Sequence, residues 1–224
     1  IPSPSKELPP TADGDWDKIS RSVVRIEANG SQCDWQGSGS IILDGSYVLT
    51  NFHVSGDGEC ELSTWFTDSA SAAPSRGVRA EVVVTDRNYD LAVIRLLDDS
   101  GEPYIDSSRT PFRISSSEPK LGEKLYILGY PGLGGSTITL TSGDFAGVDL
   151  SEDVRYYKTT ANMNPGVSGG AALNRDGELV GIPTAGIGAD VVCEDQDQCV
   201  ANGTTIGLLR PASYASSLIE RMDK

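Results

Sequence analysis

The segment Asn164-Pro165-Gly166-Val167-Ser168-Gly169-Gly170 sets a serine among glycines at positions −2, +1 and +2. Glycine frees the backbone and permits close approach, so the amides of Gly166 and Ser168 are able to point into one spot and bind a developing oxyanion. The plainer reading is a glycine-rich hairpin with an incidental serine. It is not the nucleophile elbow of α/β-hydrolases, because no strand-then-helix pattern surrounds it. The one histidine, His53, ends the run Tyr47-Val48-Leu49-Thr50-Asn51-Phe52, where a loop would present it to a cleft. A lone histidine is otherwise a common structural hydrogen-bonder. Asp90 follows the turn Asp86–Tyr89 and directly precedes the apolar stretch Leu91–Ile94. A carboxylate bordering a buried strand needs a partner such as a ring N–H; turn capping is the alternative. Hydroxyl, imidazole and carboxylate are together the groups of nucleophilic acyl transfer.

Positioning such groups falls to short β runs punctuated by Gly, Asn, Asp and Ser. A first set is expected from Ser22–Ala28 to Leu91–Leu97. A second runs from Phe112–Ile114 to Thr204–Leu209, with Thr137–Thr141 and Phe145–Val148 as separate strands. A turn near Asp15–Ser20 and the segment Ala212–Met222, with apolar residues three to four apart, read as helical. The polar stretch Asp98–Arg109 divides the strands. The expected fold is all-β: two six-stranded antiparallel β-barrels with the site in the cleft between them, plus a C-terminal helix. Residues 1–14, rich in Pro and Ser, read as a tether, residues 15–105 as the barrel carrying His53 and Asp90, and residues 106–224 as the barrel carrying Ser168.

With 224 residues the chain is long enough for one large or two small cores. Its net charge of −14 argues against nucleic acid and against an anionic membrane surface as partners. No apolar run reaches the roughly 20 residues that span a bilayer, and the first residues lack the basic start and apolar stretch of a signal peptide. A mature or trimmed form is the expectation. The four cysteines, Cys33, Cys60, Cys193 and Cys199, suit two disulfides in an oxidising compartment, secreted or periplasmic. A metal site is the rival, but their spacing is not that of zinc ligands. Of three possible connectivities, 33–60 with 193–199 is the expected one. Within Asp190–Gly203, an acidic Cys-bounded loop, Glu194, Asp195 and Asp197 fit no EF-hand and read as a solvated tip. Gly132-Leu133-Gly134-Gly135 lacks the Lys and helix of a phosphate loop and reads as a turn. No cofactor is implied.

Across roughly residues 16–222 the sequence resembles the trypsin-like serine proteases, on the HtrA/DegP-type bacterial branch. The matching stretches include Gly37-Ser38-Gly39-Ser40-Ile41-Ile42, Val48-Leu49-Thr50-Asn51-Phe52-His53, Asp90-Leu91-Ala92-Val93-Ile94, Leu128-Gly129-Tyr130-Pro131, Thr160–Gly170 and Leu179-Val180-Gly181-Ile182, in the family order His, Asp, Ser. The resemblance implies a serine endopeptidase acting on polypeptides, with Ser168 as nucleophile, His53 as proton shuttle and Asp90 as orienter of the imidazole. It implies Gly166 and Ser168 amides as oxyanion hole, Thr184 supporting Asp90, and Thr184, Ala185 and Gly186 pairing with substrate backbone. It puts the base of the primary pocket at Asn162, which has no charge to favour Arg or Lys. Two departures stand out: no PDZ domain follows, so that self-assembly is not implied and a monomer is expected, and Val167 stands where trypsin has Asp. A catalytically silent, binding-only relative and an adhesion sandwich are the rival classes.

Overall fold

The computed structural model describes residues 15–132, 135–150, 154–187, 190–195, 198–202 and 206–222, and from 187 to 202 the backbone only. The expected tether at residues 1–14 and the two middle residues of the expected turn at 132–135 lie outside the described residues. Two closed barrels make up the fold. The first contains β1 (Val23–Gly30), β2 (Cys33–Ile42), β3 (Tyr47–Thr50), β4 (Glu61–Phe66), β5 (Arg76–Asp86) and β6 (Leu91–Leu97), in spatial order β1-β2-β3-β6-β5-β4. The second contains β7 (Lys124–Gly129), β8 (Thr139–Asp149), β9 (Tyr156–Thr159), β10 (Ala171–Leu173), β11 (Leu179–Ile187) and a last strand, Ile206–Pro211. Between these, β12 (Asp190–Asp195) and β13 (Gln198–Asn202) form a separate hairpin, which makes the last barrel strand β14. All barrel pairings are antiparallel, and closure leaves no long open edge.

Alternation along the strands divides the core in three. Val24 and Ile26 of β1, Ile94 and Leu96 of β6, and Phe66 fill the first barrel. Leu125, Ile127, Phe145, Tyr157 and Leu209 fill the second. The other faces of β3 and β6 (Leu49, Leu91, Val93) meet Leu128, Tyr130 and Ile182 across the gap between barrels. Strands buried on both faces explain why Leu91–Ile94 reads as an unbroken apolar run. Each such Leu or Ile contributes about 1.5–3 kcal/mol. Helix α1 (Trp16–Ser20) is capped by the Asp15 carboxylate on Lys18 N–H at 3.2 Å. The C-terminal helix Ala215–Met222 buries Leu218 in the same inter-barrel core and packs on β5 and β6.

Three expectations change. β8 is one strand rather than two: it bends at a bulge between Phe145 and Gly147, and Gly143 lets it lie against Thr160–Ala161, where a Cβ would fall 2.1 Å from the Ala161 nitrogen. Phe112–Ile114 forms only isolated bridges, Phe112 to Ile42 and Ile114 to Leu179, strapping the link between barrels to each of them. The acidic stretch from Asp190 is a β-hairpin with Cys193 opposite Cys199, not a loop. Whether that pair is bonded, and what Glu194, Asp195 and Asp197 face, lies outside the described residues. The other expected bridge, Cys33–Cys60, is formed.

Candidate active site

His53 sits in a one-turn helix, α2 (Phe52–Ser55), entered from β3 through Asn51. Asp90 caps the turn before β6 with φ of +50°, a left-handed conformation that Asp tolerates better than most residues. Asp86 builds that turn by accepting from the Asn88 and Tyr89 N–H groups at 3.1 and 3.2 Å. Both Asp90 oxygens then face His53: Oδ1 accepts from its backbone N–H at 2.9 Å and Oδ2 meets Nδ1 at 2.8 Å. In the neutral ring, a proton on Nδ1 directed at the carboxylate leaves the lone pair on Nε2. Asp90 is mostly covered while His53 is about half exposed, its side chain at 47%, so the imidazole opens toward the cleft.

Asn51 was not singled out by sequence, yet it organises this arrangement. Its side chain is fully buried. Rather than capping α2, Nδ2 donates to the Asp90 carbonyl at 2.8 Å and to Thr184 Oγ1 at 3.0 Å. Thr184 in turn donates to the Ile182 carbonyl at 2.9 Å. The expected support of Asp90 by Thr184 therefore runs through Asn51 to the main chain; among the described hydrogen bonds none joins Thr184 to the carboxylate.

Ser168 lies between β9 and β10. Val167 N–H donates to the Asn164 carbonyl at 3.2 Å, and Gly166 has φ of +98°. Pro at the second position and a positive-φ Gly at the third make this a type II turn. The Pro165 carbonyl accepts from Gly132 N–H and the Val167 carbonyl from Gly170 N–H, both at 2.9 Å. In planar trans peptides the following N–H points the opposite way, so those of Gly166 and Ser168 face away from these partners. Among the described hydrogen bonds neither is taken. Gly169 is required as well, because its φ is +83° and a Cβ would stand 2.2 Å from Thr50 Oγ1. Ser168 Oγ donates to the Thr184 carbonyl at 3.3 Å; among the described residues no hydrogen bond links it to His53.

A cavity of about 360 Å³ adjoins Ser168, lined by Ala161, Met163, Pro165, Thr184, Ala185 and Gly207 among others. Asn162, expected at its base, does not line it. Buried Ala161 and partly buried Met163 flank Asn162, which is exposed to solvent and has its carbonyl held by Thr141 Oγ1 at 2.8 Å. Met163 instead closes on Gly207, where a Cβ would lie 2.6 Å from its sulfur. Ala185 and Gly186 are exposed on β11. That strand pairs with β14 along Gly181–Ile187 but with β10 only at Leu179 and Gly181, which leaves the Thr184–Gly186 edge without a strand partner among the described strands.

No described group of His, Cys, Asp and Glu is arranged to hold a metal ion, and no described helix is long and apolar enough to cross a membrane.

Comparison with known proteins agrees with this architecture. The sequence profile of the trypsin-like peptidase domain matches residues 37–182. An HtrA-like serine protease of Staphylococcus aureus (strain USA300) is 31% identical over 193 aligned residues, covering 75% of this chain. The chain spans 23% of that relative's length, and the same holds for the counterpart from strain COL. The crystal structure of a serine endoprotease from Yersinia pestis superposes with a TM-score of 0.68 at 25% identity, covering 96% of this chain and 68% of that one. With the profile matching more than half of its length, the chain belongs to the family of trypsin-like peptidase domains and has HtrA-like serine proteases among its relatives.

Proposed function

We propose that the chain is a serine endopeptidase in which Ser168 attacks the substrate carbonyl, His53 moves the proton and Asp90 holds the imidazole. What supports this reading is that the carboxylate-bound imidazole of the first barrel and the Ser168 turn of the second are tied to one residue pair: Asn51, two residues before His53, bonds Thr184, whose carbonyl receives Ser168 Oγ. Ser168 Oγ would add to the carbonyl carbon as its proton passes to Nε2. The developing oxyanion would be met by the N–H groups of Gly166 and Ser168. Collapse would expel the amine, protonated by His53, and water would then release the acyl group by the same route. The Thr184–Gly186 edge suits an extended polypeptide added as a further strand. The Met163 floor suits small or medium apolar side chains before the cut. With its Cys33–Cys60 bridge, the protein fits an oxidising compartment, secreted or periplasmic.

One observation favours a second reading, a silent relative used for binding: the Ser168 hydroxyl rests on the Thr184 carbonyl. The serine–histidine bond of this mechanism often tightens only with substrate bound, so the endopeptidase reading stands ahead. Hydrolysis of an unfolded polypeptide by the wild type, absent in Ser168→Ala, tests it. Equal hydrolysis by both proteins rejects it.

A further inference from the structure

The Ser168 turn belongs to the second barrel, yet the hydroxyl that grips it comes from the first. Ser38 lies on β2 and is fully buried. Its Oγ receives the Tyr130 N–H at 2.8 Å and lies 2.8 Å from the Gly166 carbonyl. An amide N–H only donates, so the single hydroxyl proton of Ser38 is left for Gly166. The backbone of the same residue holds the other end of the turn: Ser38 N–H donates to the Ser168 carbonyl at 2.8 Å. Its own carbonyl is fixed in turn by buried Thr50 Oγ1 at 2.7 Å.

The segments joined by Ser38 Oγ are those that set the direction of the Gly166 amide. Tyr130 is two residues before Gly132, whose N–H holds the Pro165 carbonyl. Gly166 follows Pro165 and presents the N–H in question. The Ser38 bridge and the Gly132–Pro165 bond are thus two adjacent rungs between Tyr130–Gly132 and Pro165–Gly166. Contact is close enough that a Cβ on Gly129 would stand 3.0 Å from both Ser38 Oγ and Val167 Cα. The Val167 side chain offers this turn only apolar packing in the second-barrel core; beyond the turn's own backbone bonds and the Gly169 N–H on the Pro183 carbonyl, Ser38 and Gly132 hold it by polar contacts.

We infer that Ser38 is a positioning residue for oxyanion binding: its hydroxyl, supplied across the barrel interface, holds the Gly166 end of the turn, so that the Gly166 amide keeps its binding direction beside that of Ser168. The inference rests on the endopeptidase reading. Its consequence is selective, because a misaimed donor weakens the transition state far more than the ground state.

The test compares wild type, Ser38→Ala and Ser38→Cys in turnover of a chromogenic peptide with an apolar residue before the cut. Inhibition by the matching peptidyl trifluoromethyl ketone, whose adduct oxyanion needs both amides, is measured in parallel. Loss of a whole oxyanion donor costs about 100- to 1000-fold in kcat, so a misaimed one should cost roughly 10- to 100-fold. KM should stay near wild type, and inhibitor affinity should fall by the same factor as kcat/KM. Ser38→Cys keeps the size of the side chain but donates weakly; it should show the same split with a smaller loss. Unchanged kcat in a folded variant, or a rise in KM alone, overturns the inference and leaves the endopeptidase reading intact. If Ser38→Ala fails to fold, Ser38→Cys decides the matter. A wild type that neither turns over peptide nor binds the ketone overturns the reading, and the inference with it.

Discussion

Asn51 and Thr184 belong to different barrels, and a hydrogen bond of 3.0 Å joins their side chains in the buried interface. The same Asn51 amide holds the carbonyl of Asp90 at 2.8 Å. One side chain thereby couples the strand beside Ser168 to the residue that orients His53. Asn51→Ala leaves the Asp90 carbonyl and the Thr184 hydroxyl short of a donor, at about 1–3 kcal/mol. It also loosens Asp90 in its positive-φ conformation. Turnover should fall roughly tenfold or more, while Thr184→Ala made on top of Asn51→Ala should cost less than it does alone. A double-mutant cycle measures this; fully additive losses would mean the two residues act separately.

The two aspartates near β6 should separate cleanly. Asp90 faces His53 with both oxygens, whereas Asp86 ties the turn and meets Arg221 at 3.4 Å. In a related mechanism the Asp→Asn change lowers kcat by about 10⁴ through the wrong imidazole tautomer. Asp90→Asn should approach that loss, and Asp86→Asn should stay within about threefold of wild type, since its bonds are partly exposed. Steady-state kinetics at one pH suffice, and reversed effects would assign the role to Asp86.

Selectivity should follow Met163 rather than Asn162. Shortening Met163 to Ala deepens the cavity next to Ser168, which is about 360 Å³ in the wild type. A methylene in an apolar pocket is worth about 10- to 200-fold in discrimination. Peptides with Phe before the cut should therefore gain at least about tenfold in kcat/KM over those with Ala. Asn162→Ala should leave the ratio unchanged. A library profile that shifts with Asn162 and not with Met163 would refute this placement.

The linking segment between barrels carries a charged cluster that makes stability depend on pH. Buried Arg109 donates to the Arg21 and Thr67 carbonyls at 2.6 and 2.8 Å and to Asp106 at 3.0 Å. Burial opposes charge on Asp106, but hydrogen bonds from Ser108, Arg109 and Arg76 outweigh it and hold the carboxyl well below its usual range. A depressed folded-state pKa adds stability above the unfolded value of about 3.9 and loses it as pH falls toward the folded value. The stability advantage of wild type over Asp106→Asn should be full at neutral pH and shrink below about pH 4. Arg109→Ala should cost about 1–3 kcal/mol for each of the Arg21 and Thr67 carbonyls that it leaves without this donor, while Asp106 keeps Arg76 and Ser108. Denaturant titrations across pH give both; an advantage that grows on acidification would contradict the assignment.

Reduction of Cys33–Cys60, which closes a span of 27 residues around His53, should cost roughly 3–4 kcal/mol in the chain-entropy model. Thermal stability and turnover should fall together in reductant. Two free thiols at Cys33 and Cys60 in native protein, seen by mass spectrometry, would remove the basis for this.

The barrels were legible in sequence because β1, β3 and β6 advertise themselves through apolar runs ended by polar turns. Ser168, His53 and Asp90 stood out through their glycine frame, their singularity and their place at a strand edge. What stayed hidden has one physical cause: its meaning depends on a partner far along the chain. Ser38, in a Gly-Ser-Gly-Ser run, shows no sign of its contacts until Gly166 and Tyr130 are packed against it. Nothing marks Asn51 in the sequence until Thr184 packs against it. Gly143 looks like a strand break, because the backbone of Thr160–Ala161 that occupies its missing side chain is distant in sequence. Which of Asn162 and Met163 faces the cavity beside Ser168 turns on one residue of register, and spacing alone leaves that open.

The central claim, an activated nucleophile at Ser168, is tested most directly by a biotinylated fluorophosphonate and peptide mass mapping. A single stoichiometric adduct is expected on the peptide containing Ser168, with labelling lost in Ser168→Ala and slowed at least about 100-fold when His53 is replaced by Ala. Folded wild-type protein that takes up no label at Ser168, or labels equally fast without His53, would contradict it.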